Sequence, residues 1–339
     1  MVTEKQVIQT AIKFNLKAKK VFLIKTGVYR VVSAKGKPYC LKRMRYSSER
    51  LRWMDQTLQK LRTHGFATVA WRRPHTATGR TLFVRSSKQP YFYILTPWIQ
   101  GRMPSIESCQ DLRTCATTLA DFHLAGQKIK ISTAGAPNML GRWPNMLNDK
   151  ARMLFKNIQR AEKNESSAAL TGLLHTHGDW LAERVHKALK LLDETDYALF
   201  CRKAANKGVL CHGDSGPKNF VLSQKGNYLI DFETLRIDLR TYDLFRLIRL
   251  SCKSSGWNID TARCILDGYQ AVSKLEPIEY DLLRVWLQFP YKACKLLSSY
   301  EHANQQHRRR LEHKLANTIK DEQDISVFLN RLDSYRNRK

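Results

Sequence analysis

The chain has 339 residues, 43% of them hydrophobic and 10% aromatic, enough to bury one large core or two lobes. Its 58 Lys and Arg against 30 Asp and Glu give a formal net charge of +28, which makes cationic ligands poor candidates and anionic ones good candidates. No stretch approaches the ~18 uninterrupted apolar residues of a membrane helix, the start MVTEKQVIQT lacks the apolar segment of a signal peptide, and the eight cysteines form no CxxC pair, which argues against zinc and a disulfide scaffold and for a reducing cytosol. The charge is uneven. Between Lys13 and Arg102 there are 21 basic residues and two acidic ones, Glu49 and Asp55, a net +19. Such a segment either solvates the outside of a small sheet or attracts nucleic acid, an acidic polymer or an anionic surface.

In chain order, residues 21–24, 29–34 and 38–43 are short β-rich runs, the last two joined by the hairpin sequence Lys35-Gly36-Lys37. Ser47 and Ser48 are N-cap residues for a helix with Glu49 in its first turn and Leu51, Met54, Leu58 and Leu61 at helical spacing, stopped by Gly65. Strands over 81–85 and 91–96 lead into Pro97-Trp98-Ile99-Gln100-Gly101, where the composition changes. Leu112, Cys115, Ala116, Leu119 and His123 then mark an amphipathic helix, residues 134–145 read as irregular, and 146–206 as helical. Further on, 241–253, 258–272 and 277–300 read as helices, and the tail from 303 as a basic, mainly solvated helix. The expectation is an α+β chain in two lobes. Residues 1–98 form a small antiparallel sheet with one helix, and 99–339 a large, mainly helical lobe.

The segment between these helices carries the candidate chemistry. CHGDSGPKNF sets Asp214 five positions before Asn219, and twelve residues later Tyr228-Leu229-Ile230 delivers Asp231, with Glu233 two further on. Asp and Asn are common in turns, but three such groups at this spacing between apolar runs fit kinase-type phosphoryl transfer. One carboxylate accepts the proton of a hydroxyl, while an amide and a second carboxylate hold magnesium. Lys42, ending Tyr39-Cys40-Leu41-Lys42, stands where a lysine would reach the α/β-phosphates. Ile94, Trp98 and Ile99 could line a purine slot beside the connector's backbone groups. A second HGD, at His177-Gly178-Asp179, has Arg184 in place of the asparagine and lies among leucines at helical spacing, so it reads as a helix surface.

These residues resemble a known group. CHGDSGPKN, YLIDFE and the following Asp243 are similar to the HxD-x4-N and DFE/DFD-type motifs of the aminoglycoside phosphotransferase and choline kinase superfamily, which shares the bilobal protein-kinase-like layout. More narrowly, YCLKRMRYSSERLRWM, YILTPWIQGR, LADFHLAG and IDFETLRIDLRTYDLFRLIR resemble the CotS-type spore coat family of endospore-forming bacteria, across residues 20–300. The resemblance implies ATP (or GTP) and Mg2+ as cofactors and Asp214 as catalytic base. Asn219 and Asp231 become metal ligands, and Glu233 reaches a second metal. His212 braces the catalytic loop, and Asp243 is structural, capping the helix that begins there. It also implies a phosphotransferase that moves the γ-phosphate to a hydroxyl, in a cytoplasmic protein deposited on the spore coat.

Two departures stand against turnover. Thr26-Gly27-Val28-Tyr29-Arg30 has one glycine where a phosphate-covering loop has several. Glu49, the only nearby glutamate to pair with Lys42, sits early in its helix. The alternatives are therefore a catalytically weak kinase-fold component of the coat and a polyanion binder working through the basic first lobe. No pattern for sequence-specific nucleic-acid binding is present. An aromatic cage for choline would draw on Trp257, Tyr269, Trp286 and Tyr291, which at helical spacing read first as core. Acidic hydroxyl compounds or surface polymers suit the charge better.

Overall fold

The computed structural model describes residues 3–71, 82–86, 90–132, 134–206 and 209–337. It opens on a helix that the sequence reading did not include. Thr3 caps α1 (Glu4–Ile12) in a reciprocal capping box with Gln6, and Val7 and Ala11, four apart, place α1 on the sheet that follows.

That sheet is antiparallel, with strands β1 (Ala18–Lys25), β2 (Val28–Ser33), β3 (Pro38–Met44), β4 (Val84–Arg85) and β5 (Phe92–Pro97) in the order β1-β2-β3-β5-β4. The strand expected over 81–85 is described only from Leu82, and its paired part is Val84–Arg85. Period-two alternation gives the sheet two faces. Tyr29, Val31, Tyr39, Leu41, Tyr93 and Leu95 meet α1 and Phe14 in a small separate core. Cys40, Lys42 and Met44, with Ile94 and Thr96 opposite them, point the other way. There α2 (Ser48–Thr63), capped by the Ser47 hydroxyl, buries Leu51, Met54, Leu58 and Leu61 in the main core, as their helical spacing predicts.

The connector then presses against the second lobe. Arg102 and Leu222 exchange backbone hydrogen bonds of 3.0 and 2.9 Å. A Cβ on Gly101 would lie 2.4 Å from the Leu222 carbonyl oxygen, so only glycine allows this approach. Arg102 also clamps the Asp111 carboxylate at the start of α3 (Cys109–Gln127), with Nη2 donating to Oδ1 at 2.7 Å.

Around α3 stand α4 (Trp143–Glu162), α5 (Ala168–Asp193) and α6 (Tyr197–Ala205). Two small antiparallel pairs follow, β6 (Leu210–Cys211) with β9 (Arg236–Ile237) and β7 (Phe220–Ser223) with β8 (Gly226–Leu229). They frame the candidate site. The lobe closes with α7 (Arg240–Ser254), α8 (Ile259–Gln270), α9 (Pro277–Gln288), α10 (Tyr291–Glu301), α11 (Gln305–Asp321) and α12 (Ile325–Arg336).

Two expectations are corrected here. The tail is not mainly solvated: Leu311, Leu315, Ile319, Phe328, Leu329 and Leu332 are buried in the main core, and the fully buried Arg184 of α5 donates to Glu322 at 2.8 Å. Its many basic residues mask an apolar stripe. The cysteines also include a disulfide, Cys109–Cys264, which ties α3 to α8 across 155 residues of sequence. Local spacing carries no signal of such a pairing.

Candidate active site

The loop bearing Asp214 is held from every side. Gly213 has φ +81°, and a Cβ there would lie 2.3 Å from the Thr234 carbonyl oxygen, so the second residue of the HGD triplet must be glycine. Asp243, in the first turn of α7, does not cap its helix. Its carboxylate accepts the backbone N–H groups of His212 (2.6 Å) and Gly213 (2.8 Å) and faces His123 Nε2 at 3.1 Å. Burial alone would raise this carboxyl, but the hydrogen bonds from His123 and the Gly213 N–H outweigh it and hold it below its usual value. His123 in turn meets the Tyr269 hydroxyl at 2.8 Å, and burial pushes the imidazole below its ordinary value. His212 braces the loop as expected. One ring nitrogen, Nε2, meets the Ile230 carbonyl at 2.9 Å, and Nδ1 accepts the Asp214 N–H at 3.3 Å. His123, Cys211 and Asp243 lie close enough to hold a metal ion, but His123 and Asp243 are engaged in this network and the Cys211 thiol donates to the Asp238 and Leu239 carbonyls.

Asn219 and Asp231 are brought together by the backbone. The Ile230 N–H donates to the Asn219 carbonyl at 3.0 Å, which sets the end of the asparagine loop beside the end of β8. Asp231 itself is left-handed, φ 66° and ψ 54°, a conformation that costs a non-glycine residue of order 1 kcal/mol or more and persists where surroundings enforce it. Asn219 Nδ2 donates to the Asp214 carbonyl (2.6 Å) and to its Oδ2 (3.2 Å), which leaves the amide oxygen for a cation.

Lys42 closes the group. Its ammonium is ion-paired with Asp231 and lies 2.9 Å from Glu233 Oε1. Burial lowers its pKa, yet the two carboxylates prevail and hold it above its ordinary value. Glu49, the expected partner, is exposed at the start of α2 and does not line the cleft. Its neighbour Arg50 turns inward instead. Arg50 donates to the carbonyls of Leu235 and Glu233, stacks 4.5 Å over Trp53, and is pushed down to about 10 by burial. The helix is thus tied to the acidic segment by an arginine rather than to the lysine by a glutamate.

These groups line one cleft of about 480 Å³ between the lobes. Lys42, Trp98, Ile99, Asn219, Asp231 and Glu233 all border it, and Val28, Ile94, Val221 and Ile230 make its walls apolar. Two lysines missed by the sequence reading join them. Lys218 adjoins Asn219, and Lys25, at the end of β1, lies 3.9 Å from Asp231. Asp214 is outside the cleft lining and half exposed, in an ion pair with Arg246 of α7 that no motif marks. The second triplet is helical, in the middle of α5, with Asp179 exposed. Of the residues considered for a choline cage, Trp257, Tyr269 and Trp286 are buried in the core, and Tyr291 is partly buried against it.

The donor set suits a hard cation. Asn219 offers an amide oxygen, while Asp231 and Glu233 offer carboxylates, all oxygens on the cleft wall, as magnesium requires.

A model of the phosphotransferase enzyme family matches residues 26–313. Spore coat protein S of Bacillus subtilis (strain 168) is 23% identical over 210 residues, 61% of this chain and 60% of that protein, so the match spans about three fifths of either. An aminoglycoside phosphotransferase from Alicyclobacillus acidocaldarius shares the fold, with a TM-score of 0.80 at 22% identity, over 98% of this chain and 96% of that one. Spectinomycin phosphotransferase, solved with ADP and spectinomycin, gives 0.67 at 14% identity over 97% and 98%. The family match runs from the first hairpin turn of the sheet into the penultimate helix, and the chain belongs to the phosphotransferase enzyme family.

Proposed function

We propose that the protein transfers the γ-phosphate of ATP to a hydroxyl group. The observation that carries this reading is the convergence of Lys42, Asn219 and Asp231 on one apolar cleft, with Asp214 at its edge. Asn219, Asp231 and Glu233 would hold magnesium, which when bound neutralises the triphosphate. Trp98 and Ile99 flank the base, and Lys42, with Lys25 and Lys218 nearby, orients the phosphates. Asp214 accepts the hydroxyl proton as the acceptor oxygen bonds to the γ-phosphorus and the bond to the β-phosphate oxygen breaks. Likeness to a spore coat protein supports a setting on the coat.

A second reading is a kinase-fold coat component with little turnover. It is favoured by the pairing of Asp214 with Arg246, which occupies the base. ADP formation at matched nucleotide occupancy separates the two. Turnover in the wild type that falls at least a hundredfold in Asp214→Ala supports the enzyme. Turnover that survives the substitution removes Asp214 as the base, and none in either protein favours the scaffold.

A further inference from the structure

An acceptor hydroxyl must approach Asp214 from the side away from the nucleotide, because in-line transfer puts attacking and leaving oxygens on opposite sides of the phosphorus. That side is basic. Arg246 lies on the Asp214 carboxylate with a quarter of its side chain exposed, and its Nε is buried without a hydrogen-bond partner. Arg249 and Lys253 follow it at i+3 and i+7 along α7. α10 brings up Tyr291, beside Arg246, followed by the exposed Lys292 and, one turn on from Tyr291, the exposed Lys295.

The acids facing this wall do not balance it. Arg249 shares Glu322 with Arg184, and Lys253 takes Asp321 at 2.7 Å. Lys292 and Lys295 have no ion pair among the described residues. The Lys292 ammonium is lowered by burial and then by Lys295, Arg249, Lys253 and Lys314, so these cations crowd one another.

We propose that the acceptor carries an anionic group, carboxylate or phosphate, beside its reacting hydroxyl, and that this anion seats on Arg246 and the Lys292 edge, drawing Arg246 off Asp214. The inference rests on the phosphotransferase reading above. It makes Arg246 a specificity residue and its pairing with Asp214 a resting state released by the correct acceptor. The same side chain that masks the base then selects the substrate.

The test is calorimetric titration of four three-carbon probes into the full chain saturated with Mg·ADP: glycerol, 3-aminopropane-1,2-diol, glycerate and glycerol 3-phosphate. Glycerate and glycerol 3-phosphate are expected to bind one site at least tenfold more tightly than the neutral and cationic probes, and their ratio separates a carboxylate from a phosphate acceptor. Arg246→Gln should weaken both anions about tenfold. Lys292→Gln, at an exposed position safe for folding, should weaken them severalfold. Lys19→Gln with Lys20→Gln, exposed on β1, should leave them unchanged. Anions that bind no better than glycerol, or anion binding indifferent to Arg246→Gln and Lys292→Gln, overturn the subsite while Mg·ADP binding keeps the phosphotransferase reading. Failure of Mg·ADP itself to bind brings down both.

Discussion

Asp231 combines three properties that rarely coincide in one residue: a left-handed backbone, an ion pair with a partly buried lysine, and a place on the wall of an apolar cleft. Replacing its carboxylate by an amide leaves Lys42 with Glu233 alone and removes a charged oxygen from the donor set. Asp231→Asn should therefore weaken Mg·ATP binding at least tenfold, about 1.4 kcal/mol. Asp179→Asn, on the exposed face of α5, should leave it unaltered. Equilibrium nucleotide binding to both variants checks this, and equal effects would mean that the wrong HGD carries the site. At this scale the spacing anticipated the grouping of the candidate residues, since Asn219 and Asp231 share the cleft wall and Asp214 adjoins Asn219. The sequence was opaque where the partner comes from another element. Lys42 finds Asp231 and Glu233, 189 and 191 residues away, and Arg246 is one of several arginines on its helix.

Among elements, α7 anchors the loop that bears Asp214. Asp243 accepts two successive N–H groups of that loop while wholly buried. An asparagine there would turn N–H groups toward N–H groups, or orphan one of them, so Asp243→Asn should cost about 3 kcal/mol in urea unfolding. The pH dependence follows in sign. A carboxyl held below its ordinary value contributes stability above the unfolded pKa of 3.8 and loses it as pH falls. The gap between wild type and Asp243→Asn should narrow below that pH. A cost under 1 kcal/mol at neutral pH would mean that the loop is held by His212 and Thr234 instead. The sequence motif identified Asp243 as structural, but helix position suggested a cap, because capping is the local option and the bonds to the loop are long-range. The same limit hid the fate of the tail, where Leu311, Leu315 and Ile319 have helical spacing inside a run dominated by charge.

At the scale of the molecule, α2 and the inner face of the sheet join the main core of the second lobe, and the Cys109–Cys264 bond ties α3 to α8 within that lobe. A bridge closing so long a loop restricts the unfolded chain, so Cys109→Ala with Cys264→Ala, or reduction, should lower stability by about 2–5 kcal/mol without altering nucleotide affinity. Unchanged unfolding after reduction would contradict this. The small sheet and the large helical part followed from period and punctuation in the sequence; the bridge did not, since nothing local joins residues 155 apart. The proposed function requires the cleft to bind a magnesium-chelated triphosphate, and that is directly measurable as a shift in melting with and without Mg·ATP. At 100 times its dissociation constant the nucleotide should stabilise the fold by about 2.7 kcal/mol, and only with magnesium present. A melting temperature that saturating Mg·ATP leaves unmoved, in a well-folded sample, would contradict the account.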